Sequence, residues 1–299
     1  MRVSSAQLGQ YVLKGLDRQG TEYAKVMEQM SSGYRITKPS DDPLGTVTLL
    51  GLKSEQGSLD QYRTNIGNVS SRLEKAESYL DSSYQVMLRV QDLTLSGTNG
   101  AATDADRLAY AGELQSLRDT LLDFANAQDE EGHYLFGGSQ VDKPPLVDNG
   151  SGTLVYQGDS LGRQVQVAKG VSMDANETVQ NIYFAGGNNF FADLDGFIQQ
   201  LQTPGASVSA SGAAMLGRID GAITGINRSL TDIGGRLSSL HSLDTAQQDL
   251  GLANDKVIGQ IQDLDYAAAA DKVNQIQLTL TATQKTYSQL SQLSLFDYL

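Results

Sequence analysis

The sequence predicts a mainly α protein: a long, coiled-coil-like helical bundle drawn from both chain halves, with a small β-rich module inserted between them. Three observations carry this. Apolar residues recur on the alternating three- and four-residue step of helices packed along their length. A helix-start signal at Ser40-Asp41-Asp42-Pro43 opens the longest such stripe. Residues from about 132 to 186 lose the period and gain glycine, paired prolines and short alternating runs.

The first helix follows Leu13, Leu16, Gly20, Tyr23, Met27 and Met30, with one gap at Gly20. Glycine inside a helix costs about 1 kcal/mol relative to alanine, so Gly9, Gly15 and Gly20 leave it dependent on packing partners. Asp42 is placed to cap the next helix and Pro43 to occupy its first turn. Run unbroken to about Leu95, that helix spans roughly 52 residues, or ~78 Å, a length that suits a rod better than a compact enzyme. Its stripe is Leu59, Tyr62, Ile66, Val69, Leu73, Ala76, Leu80, Ser83, Met87, Val90 and Thr94. Nine of these eleven are apolar in a chain that is 39% hydrophobic. Tyr110, Leu114, Leu117, Leu121 and Phe124 continue the pattern.

In the middle, Tyr134-Leu135-Phe136, Thr153 to Tyr156 and Arg163 to Val167 read as strands, with Gly137-Gly138 and Asn149 to Gly152 as turns. An amphipathic helix follows at Phe190 to Leu201, stopped by Thr203-Pro204-Gly205, and a Ser/Ala/Gly linker leads on. Leu216, Ile219, Ile223, Ile226, Leu230, Ile233, Leu237 and Leu240 fit the heptad at every position. Val273, Ile276, Leu280, Thr283, Tyr287 and Leu290 form the last stripe. The two halves must pack together, or each leaves its stripe exposed.

Composition narrows the function. The 299 residues include 22 Lys+Arg and 35 Asp+Glu, a net charge of −13 that disfavours nucleic acid as a partner. Absence of cysteine removes disulfides, thiolate catalysis and thiolate metal sites. No apolar run suits membrane insertion, and the first residues lack the apolar stretch of a cleaved signal peptide. These features alone describe a soluble cytosolic protein. His133, after Asp129-Glu130-Glu131, reads as a solvated helix end leading into a strand rather than a metal ligand. His241 reads as a cation near the end of a helix, and Asp41-Asp42 as a cap rather than a catalytic pair. The glycine pairs at 137–138, 186–187 and 234–235 fit no phosphate-cradling pattern. No catalytic, cofactor or metal site is expected, and no enzyme activity. The terminus is unusual: Leu293, Leu295, Phe296, Tyr298 and Leu299 put five large apolar side chains in seven residues. Termini are usually polar and frayed, so this one is expected to bury against another chain.

Three separated motifs then carry a resemblance. Met30-Ser31-Ser32-Gly33-Tyr34-Arg35-Ile36 followed by Ser40-Asp41-Asp42-Pro43-Leu44-Gly45 resembles the N-terminal signature of bacterial flagellins and their relatives. Leu293-Ser294-Leu295-Phe296-Asp297-Tyr298-Leu299 looks like the C-terminus of hook-associated members of that superfamily. Tyr134-Leu135-Phe136-Gly137-Gly138-Ser139-Gln140 and Tyr156-Gln157-Gly158-Asp159 match further signatures of those members.

The resemblance implies a structural subunit of the flagellum: an adaptor ring joining hook to filament, exported unfolded by the type III route without a cleaved signal and located outside the cell. The implied partners are neighbouring copies of itself, a hook-side junction protein, flagellin on the filament side, and a cytoplasmic export chaperone at the C-terminus. The alternatives are a flagellin filament subunit and, in another class, a secreted enzyme carried on flagellin-like tails. The implied organisation is an inner-core helix and turn at 1–40, rod halves at 41–131 and 204–264, an outer β-rich module at 132–203, and a second inner-core helix at 265–299. The tail residues expected to form the assembly interface are Leu13, Leu16, Tyr23, Met27, Met30, Ile276, Leu280, Tyr287, Leu290, Leu293, Leu295, Phe296, Tyr298 and Leu299. The family turn signature falls on Ser32, Gly33, Arg35, Ile36, Asp41, Asp42 and Pro43. Ser83 and Thr283, which interrupt apolar stripes, are expected to set the specificity of the helical seams.

Overall fold

Among the described residues the chain forms seven α-helices and four short strands: α1 (Ser5–Ser32), α2 (Pro43–Thr98), α3 (Asp104–Ala125), β1 (Leu146–Asp148), β2 (Leu154–Tyr156), β3 (Gln164–Ala168), β4 (Val171–Asp174), α4 (Gln180–Tyr183), α5 (Phe190–Leu201), α6 (Ser209–Gln262) and α7 (Tyr266–Phe296). These come from a computed structural model that describes residues 5–150 and 152–296, with side chains from residue 9 to residue 289. The expected class, long helices with a small inserted β module, is the class observed. The chain divides into two compact units: residues 1–58 with 249–299, and residues 59–248. Both α2 and α6 contribute to each.

The 59–248 unit holds the large core. Every heptad position of α2 from Ile66 to Thr94 is buried, Ser83 included. On α6 the stripe alternates, with Ile219, Ile226, Ile233 and Leu240 buried and Leu216, Ile223, Leu230 and Leu237 packed at the edge. Arg63 to Asp244 (3.1 Å) and Arg89 to Glu113 (2.7 Å) tie α2 to α6 and α3 across their exposed rims.

The inserted module is two antiparallel hairpins. Leu146 pairs with Tyr156 in the first, and Gln164 with Asp174 in the second, with a bulge between Gln166 and Ala168. Amides fasten β3 to the helices: Asn65 Nδ2 donates to the Gln166 carbonyl (2.8 Å) and Gln247 Nε2 to the Val167 carbonyl (2.6 Å). Asn126 both donates to and accepts from the Leu146 backbone at 2.9 Å, standing in for a missing strand neighbour. Helix α5 begins where expected, capped by Asn189, whose side chain accepts from the Ala192 amide. Its Phe190 and Phe191 pack on Tyr183 at 5.7 and 5.0 Å between ring centroids.

Three expectations need correction. Tyr134-Leu135-Phe136 is not a strand; the segment makes single bridges at Tyr134 and Gly137, because Gly138 turns the chain with a φ of 68°. β1 and β4 were not expected, and both are short. His241 is not near a helix end: α6 continues to Gln262, and His241 is an exposed mid-helix residue. Ser83 also serves the chain's own core. Its hydroxyl donates to the Tyr79 carbonyl (2.8 Å). Burial pushes the pKa of the Tyr183 phenol, fully buried in the same core, up to about 12.

Candidate assembly surface at the joined chain ends

The two chain ends meet in the unit formed by residues 1–58 and 249–299. Val26, Ala269 and Ile276 are buried where α1 and α7 pair, with Tyr23, Met30, Leu264, Val273 and Leu280 packed around them. Lys272 reaches Glu22 (3.4 Å) and Gln277 the Tyr23 hydroxyl (3.3 Å) along the rim.

Helix α1 stops by a local mechanism. Gly33 takes a φ of 78°, the left-handed geometry that glycine supplies at a helix C-terminus. Its amide bonds the Gln29 carbonyl (2.9 Å), and the Ser32 hydroxyl donates to that same carbonyl (3.2 Å). The chain then runs antiparallel to the α6–α7 link. The Leu264 amide donates to the Gly33 carbonyl (3.0 Å) and the Arg35 amide to the Gln262 carbonyl (2.7 Å). Tyr266, at the start of α7, donates its hydroxyl to the Met30 carbonyl (3.1 Å). Asp265 starts α7 by accepting from the Ala267 and Ala268 amides.

Arg35 is the centre of this junction. Its guanidinium donates to the Ile261 carbonyl at the end of α6 (2.9 Å) and to Asp42 (2.9 Å). Asp42 in turn accepts from the Gly45 amide (2.9 Å), capping α2 as expected. Asp41 has a different task. It accepts from the Thr37 and Lys38 amides and the Thr37 hydroxyl, and pairs with Lys25 at 2.8 Å. Ile36 is buried, and Gly45 lies so close that an added Cβ would meet the Asp42 carboxylate at 2.6 Å. The signature residues thus form one connected turn joining α1, α2, α6 and α7.

Both carboxyls are held below the ordinary range: Asp41 first by its bond to Lys25 and then by the Lys38 amide, Asp42 first by the Gly45 amide and then by Arg35. A carboxylate with a depressed folded-state pKa stabilises above its unfolded pKa and loses that contribution as pH falls through the folded value. The Thr37 and Lys38 amides should therefore stay protected from exchange below pH 3.8, the ordinary aspartate value, and open only in stronger acid. In Asp41→Ala they should exchange rapidly at neutral pH. Hydrogen-exchange NMR reads both; unchanged protection in Asp41→Ala would refute the assignment.

The expected tail residues fall into three groups. Tyr23, Met30, Ile276 and Leu280 line the seam between α1 and α7, while Leu16 and Tyr287 are half-buried. Leu13 and Met27 face outward, with 49% and 43% of their surface exposed. The side chains of Leu290, Leu293, Leu295 and Phe296 lie outside the described residues, as do Tyr298 and Leu299. Of the sixteen large apolar side chains exposed among the described residues, twelve belong to this unit. It carries ten basic and twelve acidic residues, net −2, whereas residues 59–248 carry twelve and twenty-three, net −11. A near-neutral surface rich in uncovered apolar groups marks a contact face; a strongly acidic one repels its own kind.

The two glycine motifs meet in the other unit. Asp159 accepts from the Ser139 amide (2.8 Å), and the Tyr156 hydroxyl donates to the Asp159 carbonyl (2.9 Å). Sequence reasoning missed Arg72, whose guanidinium donates to Asp129 and to the Tyr134 carbonyl (both 2.6 Å). No group of three His, Asp or Glu among the described residues is placed to hold a metal, and no helix is long and apolar enough to cross a membrane.

Residues 3–141 match the bacterial flagellin N-terminal helical region. The chain is 28% identical to flagellar hook-associated protein 3 of Escherichia coli over 99% of both chains. A solved flagellar hook-associated protein from Vibrio parahaemolyticus is 39% identical, with a TM-score of 0.71 over 75% of this chain and 100% of its own. Flagellin B of Vibrio cholerae is 30% identical over only 51% of this chain and 41% of its own. The match to hook-associated proteins runs end to end where that to flagellin does not, and the chain belongs to the flagellar hook-associated proteins.

Proposed function

We propose that this chain is the adaptor at the hook–filament junction of the bacterial flagellum, a structural subunit rather than an enzyme. The carrying observation is the end-to-end similarity to hook-associated protein 3, as against a half-length similarity to flagellin. The division of surface supports it: the unit of joined ends is near-neutral and apolar, the other strongly acidic.

In this reading copies of the chain form a ring, with a hook-side junction protein below and flagellin above. Segments 1–40 and 265–299 form the inner core, 41–131 and 204–264 the rod, and 132–203 the outward module. Leu13 and Met27, with the terminal residues from Leu290 to Leu299, supply contacts to neighbours. The chain leaves the cell through the flagellar type III channel without a cleaved signal, and a cytoplasmic chaperone covers its apolar C-terminus before export.

Deleting the gene should give cells with hooks but no filaments, and flagellin monomer released into the medium. Loss of the major filament protein from both cells and medium would assign the chain as flagellin. Normal filaments would overturn both readings.

A further inference from the structure

The first three turns of α2 are apolar on both sides. Leu49 is buried and Leu52 half-buried on one side; on the other, Leu44, Val47 and Leu50 are 80%, 68% and 64% exposed. From Pro43 to Leu52 there is no charged residue. A helix apolar all round is normally buried all round, so a partner for this face is missing from the single chain.

Leu44, Val47, Leu50 and Lys53 follow each other at three-residue steps, forming one ridge that ends in a cation. On the 249–262 part of α6, Asp249, Leu252 and Asp255 make a second ridge on the same spacing, an exposed leucine between two carboxylates. The ion pairs of this unit are Lys25–Asp41, Arg35–Asp42, Lys38–Glu28 and Lys272–Glu22. Lys53, Asp249 and Asp255 therefore stay exposed and unpaired among the described residues.

We propose that the α2 ridge of one copy docks on the α6 ridge of a second copy, Val47 and Leu50 packing against Leu252 and Lys53 pairing with Asp249 and Asp255. Complementary charge selects the occupant: the cation that ends one ridge matches the carboxylates that flank the other, and both are carried by every copy. The 59–248 face of a neighbour, at net −11, offers no such apolar match to Leu44, Val47 and Leu50. Because the two ridges differ, the contact is head-to-tail and generates a ring where its rotation closes. The proposal rests on the junction reading above, which supplies the assembly.

The absence of native cysteine makes the test free of background. Two differently tagged single-cysteine variants, Val47→Cys and Leu252→Cys, are expressed together, and sheared hook–filament material is oxidised with copper phenanthroline. A disulfide dimer carrying both tags is expected. Both variants present in that material without a mixed dimer, only Val47–Val47 dimers, or Val47→Cys joined to a different protein would each overturn the proposal. If even the wild-type chain is absent from hook–filament material, the junction reading itself fails. As an independent arm, Lys53→Asp should abolish filaments and Lys53→Asp with Asp255→Lys should restore them. These residues are exposed, so urea midpoints should be unchanged; loss of filaments with no rescue would count against the pairing.

Discussion

Replacing Arg72 by alanine is expected to destabilise the 59–248 unit by about 3–5 kcal/mol, the usual cost of orphaning one member of a buried ion pair. The Arg72 side chain is only 9% exposed; one nitrogen donates to Asp129 and another to the Tyr134 carbonyl, both at 2.6 Å. Burial lowers the guanidinium's pKa and Asp129 pulls it back up, the balance expected of a desolvated pair. Asp129 also accepts from the amides of Glu131 (3.1 Å) and His133 (2.8 Å), so it organises the loop that follows α3. Without Arg72 that carboxylate keeps its amides and loses its counter-ion. Urea unfolding of wild type, Arg72→Ala and Arg72→Met separates charge from packing: methionine restores volume but should recover less than half the loss. A loss below 1 kcal/mol for alanine, or full recovery by methionine, would show that the pair does not hold the loop.

Gly138→Val is expected to be as damaging, for a backbone reason. Gly138 has a φ of 68°, and a Cβ there would lie 2.2 Å from the Asp159 carbonyl oxygen and 2.4 Å from its carboxylate. The left-handed geometry alone costs roughly 1–2 kcal/mol for a residue with a side chain. Relieving the overlap must also push Asp159 away from Ser139 and Tyr156, so we expect a total on the order of 3 kcal/mol or more. Gly150 provides the control. Its φ is 86° with nothing within 4 Å of an added Cβ, so Gly150→Ala should show the backbone cost alone. Equal losses at the two sites, read by thermal unfolding, would remove the close approach as the reason for the glycine motif.

The helices were legible because their cause is periodic. Ten of the eleven stripe positions on α2 are buried, the eight on α6 are buried or packed at the edge of the core, and Pro43 and Asp42 open α2 as their chemistry requires. The strands were less legible because strand pairing is settled at a distance. Val171 to Asp174 is half exposed and pairs only through the hairpin at Lys169-Gly170, while Leu146 depends on the side-chain amide of Asn126, twenty positions away. The turn signature showed that Asp41 and Asp42 cap something, but their division of labour depends on Lys25 and Arg35. Arg72 was invisible because a charged residue beside a core position looks, in sequence, like any solvated neighbour of Leu73. Ser83 shows the opposite case: a polar gap in a stripe can be satisfied within its own helix, as its bond to the Tyr79 carbonyl is.

Among the described residues, the pairing of α1 and α7 buries three side chains, against thirty-five in the main core of the other unit. So small a core contributes little free energy by itself, and helices are poorly held without packing. In the reading proposed above, a contact face built on it would be costly to present in solution and would gain stability against a neighbouring copy. If copies assemble as proposed above, so thin a pair would make spontaneous nucleation rare and confine growth to an existing edge, setting where copies add as well as how they fit.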